Sequence, residues 1–422
     1  MVVKERRVFN KLLQLIDRRE IIVLIGSRQT GKTTLLKWLE QTLSAKGELT
    51  AYFNLEIPHH LSILSQSYQD ILKHLQFTIP LINEKKLYLF IDEFQYLPQA
   101  NSLLKVFYDE NENIKMIVSG SSSCEIQKKV KESLAGRKRD IPIYPLDFYE
   151  YLRFKDKNLP MIELGERLPD SIIAEINNEF YDFLLFGGMP AIVLENNIEE
   201  KKEMLVGIYS AYIQKDIKGL IGQDKILHFN NLMQLLALRA GNILVTDEIA
   251  QKVMASRYQI QKDLFILENT YVNFLLSSFF ANKEKEVIRN HKTYFYDNGI
   301  RQAVINNFTP LKFRQDIGSL VENCVFLELK KNMRIDQKLY FYRKRNQTEV
   351  DFVLSVDNEV IPIEVKASSC SKIPRSLISF IKEYKPQKAF VLNADIMDVQ
   401  ENEGCKIYFL PLFLASEVCI PK

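Results

Sequence analysis

Gly26, Gly31, Lys32 and Thr33 hold the four fixed positions of the pattern G-x-x-x-x-G-K-[ST] within Ile21–Leu36, IIVLIGSRQTGKTTLL. Paired glycines let a backbone curl until successive N–H groups converge on an anion. A helix opening near Lys32 aims its own unpaired N–H groups and its dipole at the same point. Gly26, Ser27, Arg28, Gln29, Thr30, Gly31, Lys32, Thr33 and Thr34 therefore form the candidate nucleotide-binding loop. Lys32 would reach the β- and γ-phosphates of ATP, and the Thr33 hydroxyl would hold Mg²⁺. Such a loop needs a matching acid, and Leu87–Glu93 (LYLFIDE) ends in two. Ligands of open α/β sheets bind at the carboxyl ends of strands, so Asp92 is the candidate Mg²⁺ ligand and Glu93 the group that orients and deprotonates the attacking water.

Further along, Ile114–Ser119 (IKMIVS) reads as another buried strand, followed by Gly120 and a run of serines. Ser121 is the preferred candidate for a hydroxyl that touches the γ-phosphate or the lytic water; the competing reading is that these serines satisfy turn backbone. SLAGR, followed by Lys138 and Arg139, makes a basic knot. Arg137 is its candidate arginine finger, acting across a homo-oligomer interface, against the plainer reading of surface charge.

A second constellation lies in Glu349–Lys366, where EVDFVLSV and EVIPIEVK flank Asp357-Asn358. Alternating apolar runs around a two-residue turn predict a β-hairpin in which Val356 faces Glu359 and Asp351 faces Glu364. Strict alternation puts Glu349, Asp351, Glu364 and Lys366 on one face, and Val350, Phe352, Leu354, Ile361, Ile363 and Val365 on the other. Like charges directly opposite destabilise a sheet, so Lys366 or a bound cation should compensate them. Carboxylates at that spacing beside a lysine suit Mg²⁺-assisted attack of water on a phosphodiester.

The elements that would position these groups follow from periodicity. Val8–Ile16 is a helix packed beside the nucleotide fold, Gly47 closes the helix after the P-loop, and Leu49–Leu55 is a strand. Lys155–Leu168 is a boundary loop, FGGMP (Phe186–Pro190) a tight interhelical turn, and Ile208–Leu220 a linking helix. Asn230–Leu238, Thr246–Val253 and Ser256–Leu267 read as helices with helix–turn–helix spacing and polar N-caps at Thr246 and Ser256. Asn273–Phe280 and Thr293–Tyr296 alternate like a hairpin wing, with Lys283, Lys285, Arg289, His291 and Lys292 between them. On DNA, Arg257, Gln259, Gln261 and Lys262 would face the major groove and the basic hairpin would touch phosphate.

The whole chain of 422 residues is long enough for several domains, at roughly 150 residues each. Hydrophobic residues make up 46% and charged residues 26%, an ordinary globular balance; the net charge of +3 confines any basic surface to local patches. Cys124, Cys324, Cys370, Cys405 and Cys419 are scattered without C-x-x-C spacing, which argues against a disulfide framework or a zinc site. With no signal-like N-terminus and no long apolar run, a cytoplasmic protein without membrane contact is expected.

GSRQTGKTTLL, LYLFIDEFQYL, VSGSSS, SLAGR and IPIYPLDFYEYL resemble the bacterial and archaeal AAA+ ATPases that carry a C-terminal domain of unknown function. FGGMP, YIQKDI, YFYDNG, LVENCVFLEL and EVDFVLSV…IPIEVKAS extend that resemblance over nearly the whole chain. It implies a multidomain α/β architecture: a P-loop NTPase core on a parallel sheet (1–150), a helical connector (151–225), a winged helix (226–300) and an α/β nuclease-like end (301–422). The hairpin is similar to the PD-(D/E)xK nucleases of the restriction-endonuclease-like class, although no proline precedes Asp351. That likeness implies Asp351 and Glu364 as metal ligands, Glu322 in GSLVENCVFLEL as an auxiliary ligand, and Lys366 as the group that orients or deprotonates water. The expectation is a Mg²⁺-dependent ATPase coupled to DNA binding or processing. Its alternative is a nucleotide-switched module in which the C-terminal domains, catalytically inactive, only bind a protein partner.

Overall fold

The computed structural model of the chain describes residues 4–79, 82, 84–121, 134–159, 162–222, 225–279, 291–344, 348–357 and 359–419. Contacts divide the chain into two units, Met1–Tyr144 with Asn269–Tyr271, and Pro145–Glu268 with Val272–Lys422. Nearly all of the expected segments 151–225, 226–300 and 301–422 thus falls within the second unit.

The first unit runs α1 (Arg7–Leu15), β1 (Ile21–Gly26), α2 (Lys32–Ala45), β2 (Leu49–Asn54), α3 (Pro58–Leu64), α4 (Tyr68–Thr78), β3 (Leu87–Asp92), α5 (Ala100–Glu110), β4 (Ile114–Ser121) and β5 (Lys138–Pro142). Its strands form one parallel sheet in the order β2-β3-β4-β1-β5. Parallel strands covered on both sides must be apolar throughout, which is why IIVLIG and LYLFID are continuous hydrophobic runs. Alternation then sorts the side chains. Ile22 and Leu24 pack with Leu12, Leu35 and Leu39 from α1 and α2, whereas Ile21 and Val23 pack with Ile71, Leu104 and Phe107 from α4 and α5. Phe9 of α1 stacks on Trp38 of α2 with centroids 3.8 Å apart. Gly47 ends α2 at φ +82°, the left-handed conformation expected of a closing glycine. Strand β5 carries Lys138 and Arg139, which read in sequence as a basic knot; an edge strand with only one neighbour tolerates such charge.

In the second unit, helices α6 (Phe148–Phe154), α7 (Asp170–Phe186), α8 (Pro190–Leu194) and α9 (Ile198–Tyr212) come first, and a π-turn at Ile213–Ile217 leads into α10 (Lys218–Ile221). Three helices, α11 (Ile226–Leu238), α12 (Thr246–Lys252) and α13 (Arg257–Asn269), precede an antiparallel ribbon of β6 (Asn273–Leu276) and β7 (Lys292–Phe295). Ser256 caps α13, its hydroxyl accepting the Gln259 N–H at 3.1 Å, whereas Thr246 is the first residue of α12 and makes no side-chain cap. Next come α14 (Asn298–Ile305), α15 (Ile317–Asn332), the strands β8 (Gln337–Arg343), β9 (Glu349–Val356) and β10 (Glu359–Val365), α16 (Arg375–Tyr384), and β11 (Lys388–Asn393), β12 (Asp398–Asn402) and β13 (Cys405–Pro411).

The sheet order is β12-β13-β11-β10-β9-β8: β8, β9 and β10 are antiparallel neighbours, and β10 runs parallel to β11 beyond the α16 crossover. Val325, Phe326 and Leu329 of α15 pack with Phe352, Leu354, Ile361 and Ile363. Phe380 of α16 packs with Val350, Val353 and Tyr342. The FGGMP stretch is a turn between α7 and α8, and a side chain at Gly187 or Gly188 would collide with the Asp297 carboxylate or the Leu146 carbonyl.

Candidate functional site

Strand β1 ends at Gly26 and α2 begins at Lys32, so residues 26–31 form the loop. Gly31 adopts φ +92°, and a Cβ on Gly26 would strike the Ile143 carbonyl; these are the two positions where glycine is required. The buried Lys32 donates to the Gly26 carbonyl at 3.0 Å and the Ser27 carbonyl at 2.8 Å. Thr30 Oγ1 donates to the Ser27 carbonyl at 3.0 Å. Arg28 and Thr33 are half-buried, Gln29 and Thr34 exposed. Sequence reasoning passed over Arg6. Its guanidinium donates to the Thr30 carbonyl and to the Tyr144 carbonyl, both at 2.9 Å, and so ties the loop to the chain that follows β5.

Asp92 is the last residue of β3 and only 1% exposed. One of its oxygens accepts from the Ser119 hydroxyl and the other from the Tyr52 hydroxyl at 2.9 Å. Burial, then the Asp92 charge, pushes the Tyr52 phenol up, so it donates as a neutral group. Glu93 turns out of the strand at φ +58° and accepts from the Gln95 amide. Burial raises its carboxyl above the usual range, while Gln95 and the charges of Lys32 and Arg28 pull it down. The acids thus lie within electrostatic reach of the P-loop, as the topology requires when β4 alone separates β1 from β3. A β4 hydroxyl that meets them is Ser119, which also accepts the Glu93 N–H at 3.3 Å; the backbone of Ser121 ends β4 opposite Gly26. Hard oxygen donors from Thr33 and Asp92 fit Mg²⁺. Arg137 makes a forked pair with Asp109 of its own chain, at 2.8 and 3.2 Å, so a finger role would require it to let go.

The hairpin in the second unit has the expected register, Val356 opposite Glu359 through Phe352 opposite Ile363, with Asp357 at φ +51° in the turn. Its alternation is broken on the other side. Tyr340 faces Val353 but Tyr342 faces Val350, so Asp351 and Phe352 together oppose Phe341 in a β-bulge. Val350 therefore joins Val353 in the Phe380 cluster rather than packing with Phe352, and the acids do not form one row. Glu349 pairs with Lys292 of β7 at 2.7 Å. Glu364, 5% exposed, accepts from Lys366 at 2.8 Å and from Ser376 of α16 at 3.1 Å, all on Oε1; its Oε2 is buried and has no partner among the described residues. Asp351 lies between these groups, its Oδ2 accepting the Val365 N–H at 2.8 Å. Burial, then the Asp351 charge, raises the Glu364 carboxyl; burial raises Asp351 too, against the pull of Lys292. Glu322 of α15 is committed elsewhere, accepting from Lys292 at 2.9 Å and from the Tyr294 hydroxyl at 2.7 Å. Among the described residues no group of three or more His, Cys, Asp or Glu is placed to hold a metal ion; Asp351 and Glu364 are two carboxylates within electrostatic reach of each other.

The expected DNA-facing residues fare unevenly. Gln261 and Lys262 are exposed on α13, Arg257 pairs with Asp247 at 3.4 Å, and the Gln259 amide donates to Asp263 at 2.8 Å. Lys292 is buried among acids and cannot serve as the phosphate-contacting residue expected of a wing; His291 is half-buried, and burial lowers its imidazole. Lys283, Lys285 and Arg289 lie outside the described residues.

Residues 18–152 match the AAA domain family, which makes the first unit an AAA-type P-loop ATPase domain. Residues 177–311 match a domain of unknown function (DUF8612), and residues 317–413 match another (DUF4143). An uncharacterized protein of Methanocaldococcus jannaschii is 28% identical over 413 residues, covering 96% of this chain and 88% of its own. One from Haemophilus influenzae is 24% identical over 376 residues and 86% of each chain. Among solved structures, replication initiator DnaA bound to AMPPCP and single-stranded DNA aligns over 63% of this chain and 89% of its own, at 14% identity and a TM-score of 0.26, too slight a likeness to argue from. No helix among the described residues is long and apolar enough to cross a membrane.

Proposed function

We propose that the protein is a Mg²⁺-dependent ATPase whose nucleotide cycle drives a C-terminal domain that cuts or remodels DNA. In the first unit, Lys32 and the P-loop N–H groups would bind the phosphates, Thr33 and Asp92 would hold Mg²⁺, Ser119 and Tyr52 fix Asp92, and Glu93 would take the proton of the attacking water. When bound, Mg²⁺ would supply charge neutralisation for the phosphates. The DNA-processing half is carried by one observation: Glu364 Oε2 is buried and unpartnered beside Asp351 and Lys366. A buried carboxylate oxygen without a donor is costly, and an oxygen-only pair of carboxylates fits Mg²⁺ or Mn²⁺. The α15-β8-β9-β10-α16-β11 order, with an antiparallel hairpin and then a parallel crossover, supports the restriction-endonuclease-like reading, and the α11–α13 helices with the β6–β7 ribbon support the winged helix.

The test is ATPase activity with and without single-stranded, duplex and branched DNA, run beside a Mg²⁺- or Mn²⁺-dependent cleavage assay. Cleavage should vanish in Asp351→Ala and Lys366→Ala, and cleavage that survives both would reject the assignment. The second reading, a nucleotide-switched protein-binding module without nuclease activity, is favoured by the engagement of Glu322 with Lys292. DNA-independent ATPase activity together with no cleavage would select it.

A further inference from the structure

Lys292 is the unusual residue of the acidic centre. A lysine 1% exposed is rare unless paired, and this one is contributed by β7, outside the sheet that carries Glu349 and Asp351. Its ammonium lies 2.9 Å from Glu322 Oε1 of α15 and 2.7 Å from Glu349 Oε1 of β9, and within electrostatic range of Asp351. Tyr294, two residues on, donates to the same Glu322 oxygen and stacks on Phe326 with centroids 4.4 Å apart, which fixes the strand that delivers the lysine. The β9 bulge sets Asp351 next to this group. On the other flank, Glu364 and Lys366 form a separate pair, and it is there that a carboxylate oxygen has no partner. The centre therefore has one flank whose carboxylates share the Lys292 ammonium and one flank with an open ligand atom.

We propose that Lys292 is a built-in cation of this centre: its ammonium stands between Glu322, Glu349 and Asp351 where a divalent ion would otherwise be needed. The centre consequently takes at most one metal ion, at Asp351 and Glu364. The single-ion statement rests on the metal reading above; the role of the ammonium does not. Lys292 touches no reacting atom and acts by holding Glu322 and Glu349 in place without metal.

The experiment uses the nucleotide-free full chain, with thermal unfolding in EDTA and in excess Mn²⁺ and calorimetric Mn²⁺ titration. Lys292→Met should melt roughly 5–10 °C lower in EDTA, because a buried carboxylate loses its counter-charge. Excess Mn²⁺ should recover much of that loss, and adding Glu322→Gln to Lys292→Met should recover it without metal. The wild-type chain should bind Mn²⁺ at a site lost in Glu364→Gln and kept in Glu322→Gln. Lys292→Met melting like wild type, or a wild-type Mn²⁺ site abolished by Glu322→Gln, would overturn the proposal. If the wild-type chain binds no Mn²⁺ that depends on Glu364, the metal reading falls, and the EDTA melts alone decide the role of Lys292. Should Lys292→Met fail to fold, the double variant decides: folded, it supports charge compensation, and unfolded, it refutes it.

Discussion

Arg6 offers the sharpest test of how the nucleotide loop is held. Replacing it by methionine keeps the aliphatic stem and removes the donors to the Thr30 and Tyr144 carbonyls. A buried acceptor left without a donor costs about 1–3 kcal/mol. Thr30 is fully buried and should bear that cost, while Tyr144, half-buried, regains some hydration, so the loss should be about 2–4 kcal/mol. With a urea dependence of about 2–3 kcal/mol/M, the unfolding midpoint of the first unit should fall by on the order of 1 M. Trp38 reports this transition cleanly, because it is the single tryptophan of the chain and stacks on Phe9 in the helix that follows Arg6. If about 1.4 kcal/mol of the loss falls on loop order, ATP binding should also weaken about tenfold. A Trp38 midpoint within about 0.2 M of wild type, with unchanged affinity for a fluorescent ATP analogue, would refute the claim that Arg6 positions the loop.

Three further outcomes are expected. Glu93→Gln should bind ATP as tightly as wild type but hydrolyse it about 10²–10⁴-fold more slowly in a phosphate-release assay, the range for loss of a general base. Gly187→Ala should destabilise the second unit by more than about 3 kcal/mol by chemical denaturation, since it adds a side chain at φ +77° against the Asp297 carboxylate. Asp316 is raised by burial, but hydrogen bonds from Arg314 and Arg301 outweigh this and hold it at about 2, below its ordinary 3.8. The stability it contributes should therefore be complete above about pH 4 and drain away as pH falls toward 2. Asp316→Asn should flatten the melting temperature across that window, and an unchanged slope would count against the pairing.

Much of the nucleotide site was legible because its signals are local: an apolar run, a glycine-framed turn and a pair of acids at a strand end. The hairpin register was legible as far as Phe352 opposite Ile363, since a two-residue turn sets the pairings that follow it. What escaped depended on residues far apart in sequence. Ser119 lies on β4, and only the neighbouring strand makes it a partner of Asp92. Lys292 reads as one more cation in a basic stretch, because lysines are nearly always exposed and its acids come from Glu322 and Glu349. Arg137 meets Asp109 across a gap that no spacing rule covers. The fragments FGGMP, YFYDNG and LVENCVFLEL prove to be joints of one unit. Asp297 accepts the Gly188 N–H at 2.8 Å and caps α14, and Asn298 donates to the Leu184 and Leu320 carbonyls and accepts from the Asn323 amide at 2.7 Å. The turn reading of FGGMP was sound, although the carboxylate that demands Gly187 lies about a hundred residues away and the carbonyl that demands Gly188 belongs to Leu146.

The bulge in β9 has a consequence for how such a centre is inherited. Asp351 and Phe352 stand side by side opposite the single residue Phe341, so one strand supplies both a core aromatic and a buried-flank carboxylate. A chain one residue shorter at this point would still form the sheet, yet it would have room for only one of the two. Chemistry here is written in the count of residues as much as in their kinds.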